Sequence, residues 1–390
     1  MKNVFRRNIC SGSLLGILLG LTSCIESFEP KVASSAAGYL VVDGAINAQG
    51  VTTVRLSRTT PVNSKSKVPV ESRASVAVET ETGARYPLTE TTPGTYTSAA
   101  LQLPIGQRVR LAFKTASQQQ YTSEFTAAKL TPALDSVTWR ANRQGVQLYV
   151  STHDETAAAR YYRWEYEETW AFISAFYSLI ELKNGVIGIR QEDIYHCWGN
   201  EKPTSIALGN TSRLSEDKVS AAPLALVLST SPKLGIKYSV LVKQYALSQA
   251  EYDYWELLRK NTETLGTLFD PLPSQLSGNI HNVADAKEVV IGFVGAQTMT
   301  QRRLFIDSGE LPRDWRQPTD YDKCVLDTLP RTKGGPKLEI KPQEFFRSNE
   351  YLPVGYFYLP GSSKEYILYS SADCVDCRRR GTNVKPSFWQ

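Results

Sequence analysis

Residues 161–172 have the sequence Tyr161-Tyr162-Arg163-Trp164-Glu165-Tyr166-Glu167-Glu168-Thr169-Trp170-Ala171-Phe172. Aromatic residues fall at alternate positions, interrupted only by Glu168, and a period of two places them on one face of a β-strand. Buried aromatic residues dominate sandwich cores, so this face is predicted to be core. The alternative is a ligand-stacking face formed by Trp164, Tyr166 and Trp170. Glu168 is expected at a rim or in an ion pair, because an unpaired buried charge is costly.

Shorter alternating runs lie upstream of this strand. Tyr39 to Gly44 is a β-branched run that ends in an Asp-Gly turn signal, and Glu81-Thr82-Gly83 and Pro93-Gly94 are further turns. Apolar residues then alternate with polar ones at Val54 and Leu56, Val76 and Val78, and Val109, Leu111 and Phe113. This pattern predicts a small N-terminal β-sandwich over residues 38–130 with about seven strands, in the manner of an immunoglobulin domain.

Downstream, residues 131–390 are predicted to form a second β-rich domain. Ser248 and Glu251 make a Ser-x-x-Glu capping box that opens an amphipathic helix at 249–264. Residues 308–350 are rich in Pro, Gly, Asp and Lys and predict an irregular surface loop. A last strand is expected at Tyr366 to Tyr369, before a Cys-rich C-terminal tail. The predicted fold is mainly β, with two immunoglobulin- or fibronectin-like β-sandwich domains and one inserted helix.

The N-terminus has the pattern of an exported lipoprotein. A basic head is followed by a short apolar core, and Leu21-Thr22-Ser23-Cys24 resembles the lipobox at which bacteria attach diacylglycerol to cysteine. The apolar core is too short for a membrane span, which needs roughly 20 residues. Residues 1–23 are therefore predicted to be a signal peptide, Cys24 to be the lipidation site, and residues 24–37 to be a tether.

The charge balance does not indicate a nucleic-acid partner. Residues 1–23 hold three of the 44 basic residues and none of the 39 acidic ones, so the mature chain carries a net charge of about +2. No stretch is visibly enriched in Lys and Arg on one face, as a nucleic-acid-binding surface would require.

Four cysteines remain after the signal peptide and the lipidation site are set aside: Cys197, Cys324, Cys374 and Cys377. An even number in an exported protein predicts two disulfides, with three possible pairings. The alternatives are a four-cysteine zinc site and a redox pair at Cys374-Val375-Asp376-Cys377. Zinc ligands usually come as two close pairs, and the Arg-rich sequence after Cys377 is typical of a loop rather than a redox helix.

Motifs for catalysis are missing from the sequence. There is no Gly-x-Ser-x-Gly elbow, no phosphate-binding Gly-rich loop and no His-Glu-x-x-His, and the three histidines, His153, His196 and His281, are scattered. We therefore predict a protein that is not an enzyme and has no metal or cofactor.

The chain resembles the exported proteins grouped as domain of unknown function 4249 (DUF4249), which are common in Bacteroidota. The matching stretches, in chain order, are Leu40 to Gly44, Tyr121 to Glu124, Leu134 to Val137, Tyr162 to Tyr166, Cys197-Trp198, Lys243 to Tyr245, Trp255 with Asn261 to Glu263, Leu268 to Pro273, Gly278 to Ile280, and Cys374 to Cys377 with Gly381 to Asn383 and Pro386 to Trp389. This resemblance implies an outer-membrane lipoprotein often encoded beside a TonB-dependent receptor, and it supplies no catalytic residues.

Two functions are consistent with these observations. The first is a non-enzymatic binding or accessory subunit of a TonB-dependent nutrient transport system. The second is a structural or adhesive surface protein, and a weaker third is a thiol redox protein that uses Cys374 and Cys377. Outer-membrane localisation is expected, and Glu26 and Glu29, close after Cys24, favour the cell surface over the periplasmic side.

Overall fold

The computed structural model describes residues 38–61, 67–263, 278–315, 319–330, 341–358 and 365–389. The signal peptide 1–23, Cys24 and the tether 24–37 lie outside the described residues. Within the described part of the chain, no helix is both long and apolar enough to span a bilayer.

The described chain is mainly β, as the alternating patterns predict. Its strands are β1 Leu40–Asn47, β2 Val51–Arg58, β3 Ser75–Thr80, β4 Arg85–Thr92, β5 Thr95–Ala100, β6 Arg108–Lys114, β7 Gln120–Ser123, β8 Thr126–Ala127, β9 Leu134–Ala141, β10 Gly145–His153, β11 Tyr161–Ile173, β12 Ile180–Lys183, β13 Val186–Ile189, β14 His196–Glu201, β15 Ala207–Asn210, β16 Lys218–Leu228, β17 Lys237–Ala246, β18 Ile280–Asn282, β19 Val290–Ile291, β20 Ala296–Gln297, β21 Met299–Asp307, β22 Asp327–Pro330, β23 Tyr351–Tyr358 and β24 Glu365–Ser371.

Helical structure is short apart from one element. The α-helices are α1 Gln249–Glu263, α2 Pro342–Phe345 and α3 Ala372–Val375, and single 3₁₀ turns cover Pro232–Leu234, Ser308–Glu310, Phe346–Ser348 and Cys377–Arg379.

The first part of the chain forms one 11-stranded sheet around a single core. Its strand order is β18-β7-β6-β3-β4-β5-β2-β1-β19, with β8 on β6 and β20 on β1. The two ends of the sheet, β18 and β19, come together. Next to β18, the Asn279 side chain donates to the Val294 carbonyl oxygen at 3.0 Å and accepts from the Val294 backbone nitrogen at 2.9 Å. The apolar positions predicted at Val54, Leu56 and Val78 are fully buried in this core.

Strands β18 to β20 show that this first part is not continuous in sequence. The predicted boundary near residue 130 assigned them to the second domain, whereas Ile280, Val290 and Ala296 are buried in the first core. Their strands are only two or three residues long, too short for a visible period-two pattern.

The turn that the Asp-Gly dipeptide predicts at residues 43–44 is wrong. Strand β1 runs through both residues, and the chain turns after Asn47 instead. Gly44 has φ +142°, and a Cβ there would lie 2.5 Å from the Thr53 carbonyl oxygen on β2. Here glycine permits a close backbone approach within the ladder, which its dipeptide signal does not reveal.

The second body is a two-sheet sandwich. Strands β16-β10-β9 form one sheet, and β14-β11-β17-β21 form the other, with β15 also paired to β11. The buried side chains Val146, Leu148 and Val150 of β10 share a core with Tyr238, Val240 and Val242 of β17. This arrangement confirms the predicted sandwich. The aromatic strand β11 lies between β14 and β17 in the second sheet.

The predicted surface loop at 308–350 is partly wrong. Strand β22 pairs with β24, which pairs with β23, and Phe346 is buried in a third small core with Ile180 and Ile367. The last of these lies in the predicted final strand, which is present as β24. The hairpin β12–β13 supplies Ile180, and no sequence signal predicted that hairpin.

Helix α1 starts where the Ser-x-x-Glu motif predicts, but only half of the capping box forms. The Ser248 hydroxyl accepts from the backbone nitrogen of Glu251 at 3.1 Å. The Glu251 carboxyl is buried instead beside Gly295, where a Cβ would lie 2.1 Å from Oε2, and it accepts from Gln297 Nε2 at 3.4 Å.

Candidate functional site

The first half of β11 belongs to the sandwich core. Trp164 is 3% exposed, and its Nε1 donates to Gln244 Oε1 at 2.8 Å. Its indole lies against Gly209 of β15, where a Cβ would come within 2.3 Å of the ring. Trp164, one of the three residues of the alternative ligand-stacking face, is therefore a core residue.

Tyr166 and Glu168 line a polar cleft of about 440 Å³ beside β16. Tyr238 donates to Glu168 Oε1 at 2.8 Å, and Lys233 Nζ lies 2.6 Å from Glu168 Oε2. The same ammonium lies 2.6 Å from Glu201 Oε2. Glu168 is thus paired, as its position on an aromatic face required.

Burial and charge act in opposite directions on this cluster. Burial lowers the pKa of Lys233, but the hydrogen bonds and charges of Glu168 and Glu201 outweigh it and raise the pKa above its usual range. Burial, together with the Glu168 charge, raises the pKa of Tyr238 far above 10.0. Lys233 therefore stays charged and Tyr238 stays protonated at neutral pH, and the ammonium of Lys233 links Glu168 to Glu201.

Trp170 separates this polar cleft from a second, mostly apolar one. Its indole lies across Gly199, its partner on β14, where a Cβ would come within 2.3 Å of the ring. Lys233 Nζ lies 5.1 Å from the Trp170 ring centroid on the side of the polar cleft. Glycine at 199 is what lets the indole lie flat on the strand and form the floor of the second cleft.

The second cleft has a volume of about 380 Å³. The residues that line it are Trp170, Ala171, Phe172, Ile173, Pro232, Gly235, Ile236, Thr319, Asp320, Tyr321 and Arg380. Its floor is the end of β11, one wall is the turn that follows β16, and the other wall is formed by residues 319–321 and 380. We call it the Trp170 cleft.

Tyr321 and Arg380 supply the polar groups of this wall. The Arg380 guanidinium lies 4.2 Å from the Tyr321 ring centroid and donates from Nη1 to the Asp320 carbonyl oxygen at 3.2 Å. Tyr321 is 7% exposed, and among the described residues its hydroxyl has no hydrogen-bond partner. Burial raises the pKa of Tyr321, although the Arg380 charge opposes this. The hydroxyl is therefore a protonated donor at neutral pH.

Two disulfides hold the wall of the Trp170 cleft that is formed by residues 319–321 and 380. Cys197, opposite Phe172 on β14, bonds to Cys377, three residues before Arg380. Cys324, three residues after Tyr321, bonds to Cys374. The two predicted disulfides are present, and each half of the Cys374–Cys377 motif is joined to a distant partner, which removes the pair required for the redox alternative.

The three consecutive arginines of the tail have different roles. Arg378 Nη1 lies 2.6 Å from Glu192 Oε1, and Arg379 Nη1 lies 3.4 Å from Asp373 Oδ1. No described carboxylate lies within ion-pair distance of Arg380. The segment predicted as a loop begins with a 3₁₀ turn at Cys377–Arg379, which sets the direction of these side chains.

Sequence reasoning found Trp170 and the four cysteines but missed Tyr321, Lys233 and Arg380. Tyr321 and Lys233 lie in segments without a period, and Arg380 is one of three adjacent arginines. The one available signal was the proximity of Cys324 and Cys377 to these residues, since disulfides often hold loops at a site in a small exported protein.

Comparisons with known proteins give one family match. A family model described as domain of unknown function (DUF4249) matches residues 25–303. No curated protein matches the chain.

Solved structures give only distant likenesses. A two-domain fibronectin type-III segment of chicken tenascin is 10% identical, covering 52% of this chain and 88% of its own, with a TM-score of 0.15. A structure of manganese lipoxygenase of Gaeumannomyces graminis with part of zonadhesin of Komagataella pastoris is 10% identical, covering 55% and 90%, with a TM-score of 0.15. CBD12 from CALX1.2 is 11% identical, covering 69% and 100%, again with a TM-score of 0.15. Scores this low carry no argument about the chain.

Proposed function

The chain belongs to the DUF4249 family, and on that premise we propose that it is a non-enzymatic binding lipoprotein of an outer-membrane, TonB-dependent nutrient transport system. The lipobox-like sequence before Cys24 supports export and anchoring, and the two disulfides fit an oxidising compartment. The resemblance described above implies a TonB-dependent receptor as the neighbour.

The Trp170 cleft is the observation that carries the binding role. Its volume of about 380 Å³ lies in the range of small-molecule sites, about 300–1,000 Å³. Such sites combine apolar and aromatic walls with a few polar groups that orient the ligand. The cleft has that composition, and two disulfides hold the wall that carries Tyr321 and Arg380, so that little ordering of this wall would be needed on binding.

Cross-linking in intact cells tests the partnership. A photoreactive residue at Val325, which is 71% exposed next to Cys324, probes the cleft side of the molecule. A matched probe at the exposed residue Thr82, in the turn between β3 and β4, samples the 11-stranded sheet. We expect a TonB-dependent barrel among the products from at least one position and impaired nutrient uptake when the protein is deleted.

The absence of any outer-membrane barrel from both sets of products, with normal uptake in the deletion strain, would refute this function. The structural or adhesive alternative expects that result, together with a loss of surface attachment.

A further inference from the structure

We propose that the Trp170 cleft binds a small amphipathic anion, with an apolar or aromatic body on the cleft floor and an acidic group at Arg380 and Tyr321. This inference rests on the proposed binding function and specifies its ligand class. It follows from the charge of Arg380, which no described carboxylate pairs, from the Tyr321 hydroxyl, which has no partner among the described residues, and from the place of both in the cleft.

Arg380 provides a charge that the described chain does not neutralise. Its two neighbours, Arg378 and Arg379, pair with carboxylates, whereas the Arg380 guanidinium donates one hydrogen bond, to the Asp320 carbonyl oxygen, and stacks on Tyr321. Stacking leaves the remaining N–H donors of the guanidinium free to meet a carboxylate or another acidic group. The position of this charge on the cleft wall makes an anion the complementary ligand.

Tyr321 provides a donor without an acceptor. A buried hydroxyl nearly always has a hydrogen-bond partner, and leaving it unsatisfied costs free energy. The Tyr321 hydroxyl lacks such a partner among the described residues, and its side chain lines the cleft beside Arg380. An acidic group can accept from both residues at once.

The rest of the cleft selects the body of the ligand. Trp170, Phe172 and Ile236 also line the cleft. Burying an apolar group of the ligand against aromatic and aliphatic side chains of this kind favours binding. Asp320 also lines the cleft. Its negative charge should weaken the binding of an anion, so removing that charge should strengthen binding.

Two fluorescent probes separate charge recognition from apolar binding. The anionic probe is 1-anilinonaphthalene-8-sulfonate, and its neutral counterpart is N-phenyl-1-naphthylamine, which has the same aromatic body without the acid. Titrations use the mature chain with both disulfides intact. We expect the anionic probe to bind the wild type more tightly, and its affinity alone to fall as salt is added.

The variants test the named groups. Arg380→Gln should weaken the anionic probe about tenfold, with the neutral probe unchanged within about twofold, because charge-assisted hydrogen bonds are lost. Arg380→Lys should recover part of the affinity, and Tyr321→Phe should cost about threefold. Asp320→Asn should tighten anion binding, since it removes an opposing charge and asparagine tolerates the φ of +57° at this position. Arg379→Gln, on the same tail, is the matched control and should leave both probes unchanged.

Each contrary result overturns the inference. Unchanged anion binding in Arg380→Gln, an equal loss of both probes, or salt-independent binding contradicts recognition of an acidic group. A chain that discriminates the probes but cross-links to no barrel refutes only the transport proposal. A chain that cross-links to a barrel but does not discriminate the probes refutes only the ligand class.

Discussion

At the scale of single residues, two glycines, each covered by a tryptophan ring, give the aromatic strand its packing in the core and at the rim. Gly209 lets Trp164 lie flat inside the sandwich, and Gly199 lets Trp170 lie flat at its rim. Both indoles occupy space that a methyl group would fill. An indole packed on a glycine therefore fills the core in the first case and forms the floor of a cleft in the second.

Gly199→Ala should displace the Trp170 indole. The added Cβ would stand 2.3 Å from the ring, closer than any real contact, so strand or ring must move at a cost of roughly 1–3 kcal/mol of unfolding free energy. The urea unfolding midpoint measures this. Gly188→Ala is the control, because nothing lies within 4 Å of the Cβ at that exposed position. Equal midpoints for the two variants would show that the ring does not depend on Gly199.

Glu251 is a second residue whose environment has a measurable consequence. Burial raises the pKa of its carboxyl from 4.5 to about 7, although the charge of Arg163, a hydrogen bond from Gln297 and the charge of Lys129 oppose the shift. The folded protein therefore holds this proton up to about pH 7, whereas the unfolded chain releases it near pH 4.5. Its contribution to stability is complete below pH 4.5 and is lost as the pH rises to about 7.

Glu251→Gln should remove this pH dependence. Glutamine mimics the protonated carboxyl, so the variant should gain on the order of 3 kcal/mol relative to the wild type between pH 4.5 and pH 8. Urea unfolding at those two pH values measures the difference, with Asp253→Asn, an exposed carboxylate on the same helix, as control. A wild-type and Glu251→Gln difference that stays constant with pH would disprove the raised pKa.

At the scale of elements, alternation and capping predicted most long strands and helix α1, because each carries its own periodic signal. Strands β18 to β20 were not predicted, since two or three residues show no period and their pairing with β1 and β7 is set by tertiary contacts. The cleft was not predicted for a similar reason. Trp170 lies on a periodic strand, but Tyr321 and Arg380 come from distant segments that are linked by disulfides whose pairing the sequence left open.

The two disulfides should be separable by their effects. They span sequence separations of 180 and 50 residues, and removing either should cost about 2–5 kcal/mol. Replacing Cys324 and Cys374 together with serine should expose the loop at 319–324 to trypsin at Lys323, while β11 and β14 stay protected. Replacing Cys197 and Cys377 should instead release the tail at Arg378 to Arg380.

Limited proteolysis followed by peptide mapping gives these cleavage sites, and the intact protein is the reference. Under denaturing, non-reducing conditions, the wild type should show no free thiol among the four cysteines. Two or more free thiols per chain, or the same cleavage pattern in both double variants, would contradict the disulfide-held cleft.

At the scale of the whole molecule, the proposed binding cleft belongs to a chain predicted to be tied to a lipid. The described fold begins with β1 at Leu40, so the predicted tether from Cys24 is about 15 residues and reaches at most roughly 50 Å. Two or three acyl chains would make membrane attachment stable, at about 0.8 kcal/mol for each buried methylene. Any partner of the cleft must then lie near the same membrane.

Cys24→Ser should abolish this attachment. A hydroxyl cannot take the thioether-linked diacylglycerol, so the variant should leave the membrane fraction and lose label from radioactive fatty acid. The control is Cys10→Ser, a cysteine within the predicted signal peptide, which should fractionate and label like the wild type. If Cys24→Ser still sediments with membranes and still carries label, the anchor is elsewhere. The predicted tether of about 15 residues would then no longer set how far the fold can lie from the membrane.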